Sequence, residues 1–356
     1  GVHFTKLDQT DSFVYDGDES FRQVRSRFTY DPYGNLTQTN EDGQVDPPLA
    51  GDERTTTTTF TYNTTAWILY TPALTQRLEA AGTVVALRRF AYVGATATAT
   101  PPTVGSLTKE EEWRNLPAEQ WLATVLAHDG YGNVASVTDA LTRTTTNTYD
   151  ATRTYLTEIK NALTHTRQMA YDPCCGAVTS STDQNGQTTT TAHDPLGRIV
   201  KVIGPADTAA LPTLSYEYDL STVPARTILR TRIRSGQPEV LTVYTFTDGL
   251  GRTLQTRAPA EDPLKQVVSG AVEFDARGLV VKQWVPYLDA FSTSYRPLAL
   301  VTDHSSLATV SYTYDVLGRL IEATDPDGSK TLVNYHDGET TTTLANNTQT
   351  ENTVDA

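Results

Sequence analysis

One turn signature, aromatic-Asp-x-x-Gly-(Asn/Arg)-apolar, recurs seven times and limits what this chain can fold into. The first copies are Tyr30-Asp31-Pro32-Tyr33-Gly34-Asn35-Leu36 and His128-Asp129-Gly130-Tyr131-Gly132-Asn133-Val134. Tyr171-Asp172-Pro173-Cys174-Cys175-Gly176 follows with one extra residue, then His193-Asp194-Pro195-Leu196-Gly197-Arg198-Ile199. Thr247-Asp248-Gly249-Leu250-Gly251-Arg252, Phe274-Asp275-Ala276-Arg277-Gly278-Leu279 and Tyr314-Asp315-Val316-Leu317-Gly318-Arg319-Leu320 complete the set; Tyr149-Asp150 and Tyr218-Asp219 are eroded copies. The Asp side chain bonds the backbone two residues on, Pro presets φ, and Gly accepts positive φ and permits a bulge. A repeat this dense makes architecture, rather than one pocket, the expected function.

A second turn class interleaves with the first, at Asp139, Asn161, Asp183 and Asp325. From Asp129 to Asp194 the turns start every ten or eleven residues. Four-residue turns at that spacing leave strands of about seven residues, and successive turns fall on alternate margins of an antiparallel meander. Aromatic residues two apart, as in Phe60/Tyr62, Tyr216/Tyr218 and Tyr312/Tyr314, share a strand face and predict a buried aromatic stripe. Threonines such as Thr55 to Thr59 suit the wetter face. Ser106 to Trp113 has helical composition and a capping box, yet its context predicts a hairpin with Trp121 to His128. Gly43 to Arg54 reads as a surface loop, and no boundary interrupts residues 1–356, so one continuous repeat region is expected.

The net charge of −14 disfavours nucleic-acid partners, and no apolar run is long enough for a membrane span. Cys174 and Cys175, the two cysteines, read as reduced thiols filling a turn. The histidines His3, His128, His165, His193, His304 and His336 have no metal spacing. Asp325-Pro326-Asp327-Gly328 begins like a calcium loop without the distal Glu, so neither metal nor cofactor is expected. The repeated Asp residues could pair as acid and base, but their regular place in turns gives them a structural role. No catalytic motif is present, so no enzyme activity is expected. The Arg after Gly, as in Arg198, Arg252 and Arg319, is expected to bond a neighbouring turn or carboxylate. Exposed Trp67, Trp113, Trp121 and Trp284 support a competing reading, an adhesion or glycan-binding module.

From about Tyr30 to Tyr335 the motifs resemble those of the RHS/YD-repeat family, which includes bacterial Rhs toxins, Tc toxin B components and teneurin shells. Thr247 to Pro259 and Phe274 to Tyr287 are most similar to the B-component (SpvB/TcdB-like) branch of the Tc insecticidal toxins. The resemblance implies an all-β antiparallel meander that spirals into a hollow shell around a C-terminal effector. It implies as partners that effector and other shell segments, and a secreted or cell-surface location. The family's aspartyl-protease segment, toxin domain and propeller have no match here, so autoproteolysis is not carried over. The chain starts at Gly1 without a signal peptide and ends in an interrupted repeat, which reads as a wall panel cut from a longer chain. Such a panel is expected to leave unpaired strand edges and to self-associate edge to edge.

Overall fold

The computed structural model describes residues 5–15, 21–94, 100–115, 118–301, 307–336 and 339–354. Gly1, His3, His304 and the Leu116-Pro117 part of the turn expected before Trp121 lie outside them. The fold is all-β, and the strands pair antiparallel among the described residues. Among the described residues the one helical element is the 3-10 turn Leu298–Leu300. The chain divides into two compact units, 1–165 with 333–356 and 166–332, where the sequence marks no boundary.

In the first unit each strand from Gln9–Tyr15 to Leu156–Lys160 pairs with the next. Leu107–Arg114 and Gln120–His128 form the expected hairpin, with Trp113 opposite Trp121. The loop expected over 43–54 is shorter, because the strand Leu36–Asp46 carries its first part. Gly43 is held at φ +68°, where a Cβ would run into the Asp52 carboxylate that accepts from Gln44 N at 2.8 Å. Gln9–Tyr15 lies between Phe21–Tyr30 and Gln349–Val354, in register from Thr10↔Val354 to Val14↔Thr350. This corrects the expectation of open edges at the ends of the sheet: the first and last strands satisfy each other's backbone groups.

The second unit continues the meander from Thr166–Tyr171 to Thr253–Pro259. Its strands near the chain's middle are five or six residues long rather than seven, because each turn and its bulge absorb more than four residues. At Thr253–Pro259 the regular order breaks. Lys265–Ser269 pairs with it and with Tyr287–Ala290. The meander resumes through Val272–Phe274, Val280–Trp284, Thr309–Tyr314 and Leu320–Thr324.

Burial is shallow. The same-face aromatic pairs do stack, Phe60 on Tyr62 and Tyr216 on Tyr218, each at 6.4 Å. Yet Tyr171 and Tyr314 are half-buried, so the stripe is not the buried layer expected from the pattern. A strand face stays half wet where nothing packs over it. Among the described residues, the second unit's apolar core is Val268, Ala271, Tyr287 and Val301, flanked by Trp284, Leu298 and Leu307.

Candidate functional site: the turn rows and a buried arginine

Apart from the widened Asp172 turn, each signature turn is a tight turn in which the glycine N–H donates to the Asp carbonyl and a left-handed glycine closes it opposite a bulge, the usual hairpin of this loop length. Register shifts fall at the residue before Asp, as at Thr29/Tyr30, Ala192/His193 and Thr313/Tyr314. The glycines sit at positive φ: Gly34 87°, Gly132 88°, Gly176 70°, Gly197 76°, Gly251 79°, Gly278 83° and Gly318 82°. In the second turn class Thr142 and Thr164 hold that place at 63° and 66°, an uncommon conformation for a β-branched residue.

The aspartates do more than bond one amide. Asp31 Oδ1 accepts from the N–H of Tyr33 and Asn35 at 2.8 and 2.9 Å. Asp129, Asp194, Asp248, Asp275 and Asp315 repeat that pair of bonds. Asp172 bonds Cys174 N, and the extra residue widens its turn so that Gly176 N reaches the Asp172 carbonyl at 2.8 Å. Cys174 and Cys175 are unbonded and exposed.

The residue after Gly completes the turn and reaches the following one. Arg198, Arg252 and Arg319 each donate Nε to the Asp of their own turn at 2.7 Å. Arg252 Nη1 also donates to the Gly278 carbonyl at 2.9 Å, and its guanidinium lies 3.9 Å from the Phe274 ring centre. In the Asp275 turn the residue before Gly does this instead: Arg277 Nη1 donates to Asp315 O at 2.7 Å; Arg198 lies over Tyr218. In the first unit Asn35 and Asn133 reach the carbonyls of Leu69 and Arg153. Successive turns on one margin are therefore keyed together.

The aromatic slot supports these keys. Tyr314 OH donates to Val280 O at 2.8 Å, and Lys6 lies over the Tyr30 ring. The Tyr62 hydroxyl, which donates to Asp31, is pushed up to about 12 by burial and by that carboxylate. Burial raises the Asp194 and Asp248 carboxyls, but Arg198 and Arg252 with the turn N–H groups outweigh it and hold both below the ordinary range. Carboxylates fixed as acceptors in this way are built to hold turns.

Sequence reasoning missed the buried centre of the second unit. Arg257 has no exposed side-chain surface. Its guanidinium donates to Gln266 Oε1 at 2.9 Å, Gln255 Oε1 at 3.1 Å, Asp289 Oδ2 at 2.8 Å and Ala290 O at 2.6 Å. Arg296 binds the other Asp289 oxygen at 2.8 Å. This network straps residues 287–301 onto Thr253–Pro259. Beside it lies a cleft of about 470 Å³ between Val223, Pro224, Phe246, Tyr295 and Pro297. The four tryptophans differ in setting. Arg89 covers Trp121, Trp284 packs on the core, Trp113 is bonded to Glu119, and Trp67 is 76% exposed.

Two family models match: an RHS Repeat over residues 176–209, and a domain of unknown function, DUF6443, over 221–316. No curated protein matches by sequence. Among solved structures, the TcdB2-TccC3 crystal structure is 14% identical, with TM-score 0.62, over 94% of this chain and 24% of that one. TcdB2-TccC3-Cdc42 is 13% identical, with TM-score 0.63, over 95% and 26%. The Photorhabdus luminescens Tc holotoxin pore is 12% identical, with TM-score 0.62, over 94% and 25%. The chain thus spans about a quarter of the length of these chains. The keyed Asp-x-x-Gly turns, the repeat match and the shared architecture lead to one assignment: the chain carries an RHS repeat, matched over residues 176–209, and has the fold found in TcdB2-TccC3.

Proposed function

We propose that this chain is a wall segment of an RHS-repeat cage that encloses a polypeptide effector of an exported bacterial toxin. The observation that carries the reading is the row of turns keyed one to the next, as Arg252 keys the Asp248 turn to Gly278. Such a row stiffens a sheet that has little core of its own, which is what a wall needs and a compact binding domain does not. The repeat match and the TcdB2-TccC3 fold support the same role. The segment's work is containment, without catalysis. The test is limited proteolysis of the full-length parent. The enclosed polypeptide should survive protease until the wall is unfolded by denaturant. Digestion at the rate of the free polypeptide would sink the reading.

Trp67 and its neighbour Tyr70, 76% and 73% exposed, favour a second reading, a glycan-binding surface. Glycan-array binding that disappears in Trp67→Ala would support it.

A further inference from the structure

Asp219, Arg226, Phe246 and Gln255 share one face of the second unit's sheet, because Asp219↔Arg226, Arg226↔Phe246 and Phe246↔Gln255 are directly opposed pairs. Residues 293–296 are pinned to that face. Arg226 Nη1 donates to Thr293 O at 2.6 Å, and Gln255 Nε2 donates to Arg296 O at 2.9 Å. The Tyr295 ring packs on Phe246 with ring centres 5.8 Å apart. The cleft of about 470 Å³ is lined by this segment, by residues 222–224 and by Phe246. Its size is that of a ligand site, and the protein's own bonds hold its walls in place, so little ordering is needed on binding.

The polar groups of the cleft say what fits it. Arg226 is paired with Asp219 at 3.0 Å, so a charged ligand would bring a charge with no counterpart, and the chain's −14 repels anions from further out. The Thr222 hydroxyl is spent on the Pro224 carbonyl at 3.0 Å, and Ser294 is exposed to water. Two groups are left over: Arg226 Nη2 and the Tyr295 hydroxyl have no hydrogen-bond partner among the described residues. Burial pushes the Tyr295 hydroxyl up, so it keeps its proton. A guanidinium only donates, and a protonated phenol donates as well. The matching ligand brings carbonyl acceptors and few N–H groups, since each N–H buried without an acceptor costs affinity. Proline meets both conditions, with a carbonyl, no N–H and an apolar ring for walls made by Val223, Pro224, Tyr295 and Pro297.

We propose that this cleft is a peptide-binding site whose ligand is an uncharged proline-rich segment in the polyproline II conformation. Its rings fill the cleft, and its carbonyls accept from Arg226 and Tyr295. Aromatic-lined grooves recognise extended proline segments in the same way, by ring packing plus donors to the peptide carbonyls. The site goes beyond the containment role and does not depend on it.

The experiment titrates the purified chain into fluorescein-labelled octaproline and follows fluorescence anisotropy. Binding should saturate and be roughly tenfold or more tighter than for a (Gly-Ser)4 peptide or a (Pro-Glu)4 peptide carrying the same label. Val223 is 100% exposed, so Val223→Asp should weaken binding by roughly tenfold with an unchanged melting temperature. Tyr295→Phe keeps the ring and removes the donor, and should weaken binding by about three- to tenfold. Val316→Asp, at a residue 94% exposed and outside the cleft, should leave binding unaltered. No saturable binding, equal affinity for either control peptide, or binding that survives both Val223→Asp and Tyr295→Phe would overturn the proposal. Each of these failures leaves the effector-protection result untouched, so the two readings fall separately.

Discussion

Arg257 and Asp289 meet inside the second unit, Nη2 donating to Oδ2 across 2.8 Å, with 0% and 5% of their side chains exposed. Removing one partner strands the other charge. Asp289→Ala should therefore cost about 3–5 kcal/mol. The double variant Arg257→Met, Asp289→Leu should cost less than Asp289→Ala alone. Urea melts decide it, and a double variant at least as unstable as the single would refute the account.

The turn carboxylates are stronger supports than a count of one bond each suggests. Asp194 accepts from Leu196 N, Arg198 N and Arg198 Nε. Asp194→Ala loses two backbone bonds and should lower the urea midpoint about as much as Gly197→Val, with its strain at positive φ. Asp194→Asn should lower it less than Asp194→Ala. The amide keeps an acceptor, as Asn161 does for Leu163 N and His165 N, and gives up a half-exposed ion pair.

Thr142 and Thr164 occupy the left-handed position that glycine fills in the signature turns. Thr142→Gly and Thr164→Gly should each raise stability by about 1 kcal/mol, the low end of the strain released. A loss in thermal melts at both positions would contradict this.

Acid should loosen the turns together. The Thr152 hydroxyl, then the N–H groups of Tyr155 and Thr154, hold the Asp150 carboxyl down at about 2. The bonds to Arg319 do the same in direction for Asp315. An unfolded Asp titrates near ~3.9. The unfolded chain thus takes up protons first, and the contribution is complete above about pH 4 and lost as pH falls toward about 2. Melting temperature should be flat between pH 7 and 5 and drop below 4. Asp150→Asn should make that drop shallower.

Phe246 is 1% exposed, while Tyr314 is half-buried. Phe246→Ala should cost about 3–5 kcal/mol, and Tyr314→Ala should cost about 1–3. Equal losses in denaturant melts would mean that Tyr314 is packed as tightly as Phe246.

The meander was legible in the sequence because its signals are local. Asp, Gly and an aromatic residue within a few positions specify a turn, a bulge and a strand face. The Trp113–Trp121 hairpin followed from the same context, against its helical composition. What could not be read depends on distant residues. Gln255 and Arg257 look like ordinary strand surface until Asp289, 32 residues beyond Arg257, closes over them. The depth of the aromatic stripe was misjudged because period two marks a shared face, not what covers it.

The ladder between Gln9–Tyr15 and Gln349–Val354 also bears on how the chain is made. Its hairpins are local and of the kind that closes in about 1–10 μs. The Thr10↔Val354 contact instead joins strands far apart in sequence, a separation whose closure entropy slows folding. During synthesis, Gln9–Tyr15 must keep one edge without its partner until Gln349–Val354 has left the ribosome. The first unit is then completed only after the second has emerged, although residues 1–165 precede it.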